Sequence, residues 1–281
     1  MQKNADEIMA LCRAGEPLIM GVVNVTPDSF SDGGKCYDTA DAIAHGMRLL
    51  EEGAHILDIG GESTRPGADK VSIEEEIQRV VPVVNALKEQ GASIISIDTR
   101  NAKTMHESIN SGANFINDIS GLLGDPKSIS VVADSDLPVC IMHMQGAPKT
   151  MQNLPHYDCV LDEVMAFFEA RLEFCRKHGV AQNRVILDPG IGFGKTLEHN
   201  LTLIKNLKEF HHFGCPLLLG VSRKSFIGAV SGEGDPKQRV AGSLAAAIYG
   251  LDAGVQIFRV HDVKETRQAF QVHQAIKQAL Y

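Results

Sequence analysis

The 281-residue chain has no Cys-x-x-Cys pair, no block of basic residues, no low-complexity linker and no apolar run near the roughly 18 residues of a membrane span. Each absence removes a class of function. The six cysteines, Cys12, Cys36, Cys140, Cys159, Cys175 and Cys215, are scattered, so neither a zinc site nor a disulfide framework is indicated. They read as reduced, mostly buried thiols. A net charge of −8 with no polybasic arm argues against nucleic acid as a partner. Any anionic ligand must then be met by local charge. In the first fifteen residues Asp6, Glu7 and Arg13 interrupt a weak apolar pattern, which leaves no signal-peptide core. The expectation is a cytoplasmic protein with no membrane partner, organised as a single domain over residues 1–281.

What is present is alternation. Apolar runs at Leu18–Val23, Ile56–Ile59, Ser93–Ile97, Asn114–Ile119, Pro138–Met142, Arg184–Leu187, Pro216–Leu219 and Val255–Val260 are separated by mostly helical segments. Among these, Asp38–Glu52 can be capped by Asp38, and Ser72 opens a capping-box start followed by Ile77, Val80, Val81, Val84 and Leu87 at helical spacing. Further helices are expected around Asp125–Ala133, over Tyr157–His178 and in the last segment to Tyr281. Eight strand-and-helix units call for a parallel sheet with helical crossovers, and in a chain of this length they favour a closed (β/α)8 TIM barrel, an α/β fold. The small-residue segment Ala241–Gly250 permits close helix packing, within the chain or between subunits.

In such a barrel the C-terminal ends of the strands build one shared site. Asn24, Arg65, Asp98, Asn117, Asp188, Lys224 and His261 all fall there. The loop after the second run, Gly60-Gly-Glu-Ser-Thr-Arg-Pro-Gly67, carries a carboxylate, hydroxyls and Arg65, an inventory suited to binding an anion. Asp98, Asn117, Asp188 and Lys224 suit a flat heterocycle rich in N–H donors, with Ile119, Met142 and Phe193 as candidate walls. Asn24, Arg65, Arg259 and His261 form a second, more cationic group suited to phosphate oxygens. Gly190-Ile-Gly-Phe-Gly-Lys-Thr196 ends like a phosphate-binding P-loop, but Pro189 stands where that motif needs its first glycine. Its glycines are expected to let the chain run close over the pocket.

Asn24-Val-Thr-Pro-Asp-Ser-Phe-Ser-Asp-Gly-Gly34, Gly61–Gly67, Ser96–Arg100, Asn117-Asp-Ile-Ser-Gly121, Asp188–Gly194 and Ser222-Arg-Lys-Ser-Phe226, in that order and each at a strand end, resemble the bacterial dihydropteroate synthase family. The resemblance implies displacement of diphosphate from (7,8-dihydropterin-6-yl)methyl diphosphate by p-aminobenzoate, giving 7,8-dihydropteroate in folate synthesis. It further implies that Asp98, Asn117, Asp188 and Lys224 hold the pterin, that Asn24 ligates Mg²⁺, that Arg65, Arg259 and His261 meet the diphosphate, and that Val260 is among the substrate-binding residues. Phe30, Thr64, Pro66 and Ser222 would form the p-aminobenzoate pocket, with Phe193 lining the substrate site and Asp32 near developing positive charge. Arg65, Lys224, Arg259, His261 and Asp32 would be the catalytic set. A homodimer is implied as well.

Two other readings are weighed on the residues. A pterin-binding methyltransferase barrel could share the strand-end carboxylates and the Asn117 amide, but it has no diphosphate to bind, and Arg65 and Arg259 speak against it. A pterin-binding protein without catalysis would bind the pterin diphosphate and release nothing.

Overall fold

Every apolar run of the sequence is a strand in the computed structural model, which describes residues 5–26, 39–62, 71–146, 150–152 and 154–279. The first half of the chain runs α1 (Ala5–Arg13), β1 (Leu18–Asn24), α2 (Thr39–Glu52), β2 (Ile56–Gly60), α3 (Ile73–Glu89), β3 (Ile95–Asp98), α4 (Ala102–Asn110), β4 (Phe115–Asp118) and α5 (Ser128–Ser135). The second half runs β5 (Val139–Met142), α6 (Val160–Lys177), β6 (Val185–Asp188), α7 (Leu197–Lys205), β7 (Leu218–Leu219), α8 (Ser225–Ser231), α9 (Val240–Asp252), β8 (Ile257–Val260) and α10 (Val263–Gln278). The strands form one parallel sheet in the order β6-β5-β4-β3-β2-β1-β8-β7. A bridge from Leu187 to Leu217 brings its two edges together, so the expected (β/α)8 barrel is nearly closed.

At three boundaries that differ from expectation a local hydrogen bond intervenes. Leu217 N donates to the Gln256 side chain at 2.7 Å, which shortens β7 to its last two residues. The Asp125 carboxylate accepts from Lys127 N at 2.9 Å and Ala102 N at 3.1 Å, making a turn of the stretch expected to open α5. Asp158 N and Cys159 N both donate to Glu163 Oε1, so α6 starts at Val160 rather than Tyr157. The start of α3 is as read: Ser72 Oγ accepts from Glu75 N at 3.2 Å, and Glu74, Glu75 and Glu76 fill the first turn. The Asp38 cap lies outside the described residues.

Strand alternation divides the core into two layers. Outward-facing Leu57, Ile59, Ile97, Ile116, Ile141 and Leu187 pack against helical residues such as Val80, Val84, Leu87, Val164 and Phe168. Inward-facing Leu18, Ile56, Ile94, Phe115, Ile186, Leu218 and Ile257 pack against Ile8, Met9 and Cys12 of α1, which plugs the N-terminal end of the barrel. Polar groups can gather only at the other end. The small residues of α9 serve packing within the chain: a Cβ at Gly242 would stand 2.3 Å from Ile227, and one at Gly250 2.5 Å from Leu219. Among the described cysteines all are free, and only Cys159 is exposed. No helix among the described residues is long and apolar enough to cross a membrane.

Candidate active site

Strand register gathers the strand-end groups at the open mouth. Asn24 pairs laterally with Gly60, Gly60 with Asp98, and Asp98 with Asn117, while Met142 stands beside Asp188. Side chains two residues apart share a face, so Asp58 points inward one layer below Gly60. It is fully buried.

Arg259 ties these acids together. Its Nε donates to Asp58 Oδ2 at 2.6 Å and its Nη2 to Asp98 Oδ2 at 2.8 Å. Asn117 Nδ2 donates to the same Asp58 oxygen at 3.2 Å. Among the described residues Arg259 Nη1 has no hydrogen-bond partner. Burial opposes the guanidinium charge, but Asp58 and Asp98 outweigh it and push its pKa up. The Asp98 carboxyl is pushed up to about 7 by burial, against the pull of Arg259 and with Asp58, Glu76 and Asp118 adding to the rise.

Across the mouth, Asp188 Oδ1 accepts from Gly190 N at 2.7 Å, and burial raises its carboxyl despite Lys224 nearby. The Lys224 ammonium donates to Ile191 O and lies 4.7 Å from the centre of the Phe193 ring. Burial lowers Lys224 to about 8, with Asp188 holding it back. Phe193 therefore offers apolar surface against the ammonium, and the buried Met142 lies beside Asp188. A planar heterocycle with several N–H groups fits that combination.

The expectation for Gly190–Thr196 needs correcting. Gly190 and Gly194 have left-handed φ of 68° and 61°, but their missing side chains make room for backbone behind the loop. A Cβ at Gly190 would fall 1.9 Å from His143 O, and one at Gly194 2.4 Å from Gln145 O. Only Gly192 faces the pocket side, 3.2 Å from Lys224 Cδ. The Lys195 side chain is buried against His143 and offers nothing to a phosphate.

Ser222 and His261 also meet. Ser222 Oγ accepts from His261 N at 3.2 Å and shares a second bond of 3.0 Å with His261 Nδ1. Behind them Arg223, at a left-handed φ of 60°, makes a two-pronged ion pair with Asp262. The Val260 side chain belongs to the layer between sheet and helices, so only its main chain can serve the mouth. Phe30, Asp32, Thr64, Arg65 and Pro66 lie outside the described residues. Sequence reading passed over Asp58 and Lys195; a lone carboxylate in an apolar parallel strand is the signal that could have marked the first.

Among the described residues no three acidic, histidine or cysteine side chains gather as a metal site. Mg²⁺ takes one or two protein oxygens and completes its shell with phosphates and water, so a single neutral amide oxygen is compatible with it. Asn24 sits beside a gap of that kind: a Cβ at Gly60 would stand 3.9 Å from Asn24 Oδ1 and 3.6 Å from Asp98 Oδ2.

Known proteins share the fold and much of the sequence. The family described as pterin binding enzyme matches residues 20–261. The dihydropteroate synthase of Escherichia coli is 50% identical over 259 residues, 92% of this chain and 91% of that protein. A solved Xanthomonas albilineans dihydropteroate synthase with 4-aminobenzoic acid superposes with a TM-score of 0.89 at 45% identity, covering 94% of each chain. One in complex with 7,8-dihydropteroate gives 0.86 at 42%, covering 94% of this chain and 95% of that one. Likeness of this extent in both sequence and structure places the chain in the dihydropteroate synthase family.

Proposed function

We propose that the chain joins p-aminobenzoate to (7,8-dihydropterin-6-yl)methyl diphosphate by letting diphosphate depart first, leaving a pterin methylene cation that the aromatic amine captures. As a dihydropteroate synthase it is a transferase of folate synthesis, and 7,8-dihydropteroate and diphosphate are its products. The amine nitrogen forms the new C–N bond and sheds one proton, while the C–O bond to diphosphate has already broken.

The chain's own groups divide the work. Asp188 and Asp98 accept from the pterin N–H groups and raise electron density in the ring, with Asn117 and Lys224 completing its polar edge. Arg259 is anchored through Nε and Nη2, which leaves Nη1 to meet charge on the leaving diphosphate, and His261 and Arg65 join it there. Asn24 would hold Mg²⁺, which supplies further neutralisation of diphosphate when bound. Phe30, Thr64, Pro66 and Ser222 would line the p-aminobenzoate pocket, Asp32 would sit near the developing cation, and closure of their loops would exclude water. A cytoplasmic homodimer belongs to the same reading. Val272 and Ile276 of α10 and Tyr249 of α9 are exposed apolar surface compatible with a second copy.

The observation that carries this reading is the buried Asp58–Arg259–Asp98 cluster beside Asn117, Asp188 and Lys224, in a fold matching a relative solved with 7,8-dihydropteroate. The test is diphosphate release with and without p-aminobenzoate and Mg²⁺. Release that needs Mg²⁺ and tracks dihydropteroate formation is expected. Tight pterin binding without release overturns the catalytic reading.

A further inference from the structure

The stretch Gly190–Gly194 is held carbonyl by carbonyl. Gly190 O accepts from Phe193 N at 3.1 Å, Ile191 O from Lys224 Nζ, and Gly192 O from Gln152 Nε2 at 2.6 Å. Phe193 O accepts from Lys195 Nζ at 3.0 Å and Gly194 O from the Tyr157 hydroxyl at 2.8 Å. Only the first of these bonds lies within the turn. The other four come from side chains outside it, and a loop needs no such set merely to reverse direction.

Lys195 is the unusual member. Its side chain is buried, with Nζ 2.9 Å from His143 Nδ1 and 3.3 Å from His143 O. Burial lowers the His143 imidazole to about 3, keeping it neutral so that Nδ1 can accept. A buried ammonium pays a desolvation penalty that an apolar side chain of the same length would avoid. Its donors go to the end of β5 and to the carbonyl of Phe193, so it pins the β6 loop to the neighbouring strand. The bond from Gly190 N to Asp188 Oδ1 carries the same constraint to the carboxylate.

We propose that Lys195 is a positioning residue for the heterocycle pocket. Its buried ammonium, with the Tyr157 hydroxyl, fixes Gly190–Gly194 so that the Phe193 ring stands against Lys224 beside Asp188. The inference rests on the pterin reading of the mouth. Lys195 touches no substrate and acts through Phe193 and Asp188, so its loss loosens the grip on the pterin and spares the p-aminobenzoate side, where Ser222 is held by His261.

The test measures KM for each substrate, and calorimetric affinity for (7,8-dihydropterin-6-yl)methyl diphosphate, in the intact protein and in Lys195→Met, Tyr157→Phe and Phe193→Ala. Lys195→Met is expected to raise the pterin KM about ten-fold and to leave the p-aminobenzoate KM within about two-fold. Tyr157→Phe keeps its ring and is expected to raise the pterin KM about three-fold, which decides the matter should Lys195→Met not fold. Unchanged pterin KM in whichever of the two folds, or an equal rise in both KM values, overturns the proposal. If Phe193→Ala binds pterin as the intact protein does, or the intact protein binds none, the pocket reading itself fails. If Phe193→Ala weakens binding and the Lys195 and Tyr157 variants do not, only the role of Lys195 falls.

Discussion

Arg259 Nε donates to Asp58 Oδ2 at 2.6 Å across 201 positions of sequence, joining the last strand of the barrel to the second. The bond lies below the mouth, on a carboxylate with no exposed surface. It sets the guanidinium so that one edge faces two acids while, among the described residues, Nη1 has no partner. The pair therefore links the stability of the barrel to the readiness of its site.

Truncating either partner should separate those two contributions. Asp58→Ala strips a mostly buried guanidinium of its inner partner and should cost about 3–5 kcal/mol of stability, read by urea unfolding. Arg259→Ala should lose on the order of 2.7–4 kcal/mol of transition-state stabilisation, by analogy with loss of one oxyanion donor, read as kcat/KM. Near wild-type turnover and binding in the Arg259 variant would count against a role on diphosphate.

Asp188→Asn should weaken pterin binding while leaving the barrel folded. The amide oxygen can still accept from Gly190 N, so the loop keeps its shape, but the charge proposed to meet the pterin N–H groups is gone. Calorimetry with the pterin diphosphate, alongside circular dichroism, checks both halves. Unaltered affinity would remove Asp188 from the pocket.

The fold was legible because parallel strands covered on both faces announce themselves as short apolar runs, and eight of them in order leave little choice of architecture. Asp98 and Asp188 were legible for the same reason, since each is the polar residue that follows such a run, and Asn117 stands near the end of another. Asp58 was not, because it interrupts a run, and the cation that justifies it is a distant residue that only closure of the barrel brings near. Lys195 was obscured by its neighbours: Gly-Lys-Thr resembles a phosphate loop, and nothing local says that the lysine turns inward to His143. Phe30, Asp32, Thr64, Arg65 and Pro66 lie outside the described residues.

The Arg223–Asp262 ion pair should matter to both loops it joins. Arg223 adopts a left-handed φ of 60° between Ser222 and Lys224, its N donating to Ser243 Oγ at 2.8 Å and its O accepting from Arg239. For a residue with a side chain that conformation carries strain on the order of 1–3 kcal/mol, held in place here by the ion pair. Asp262→Asn keeps the volume and removes the charge. A several-fold rise in the p-aminobenzoate KM is expected as Ser222 and His261 lose registration, and an unchanged value would mean that the backbone bonds suffice.

Lys195 also has a pH signature in stability. Burial lowers its pKa from 10.5 to about 7, whereas in the unfolded chain the ammonium keeps its proton to its ordinary range. Between those limits the unfolded state binds more protons than the folded one, so stability contributed at this position rises with pH. Below about pH 7 both states hold the proton and the burial penalty is present in full. Lys195→Met has no such group, and terms common to both proteins cancel to first order in the difference. The unfolding free energy of the intact protein minus that of the variant should be level below about pH 6 and climb above about pH 7, with a limiting slope on the order of 1.4 kcal/mol per pH unit. Urea unfolding of both proteins at about pH 6 and about pH 9 measures it. A difference that stays level across that interval would mean that the Lys195 ammonium is not held at a lowered pKa, its bonds to His143 and Phe193 offsetting the burial.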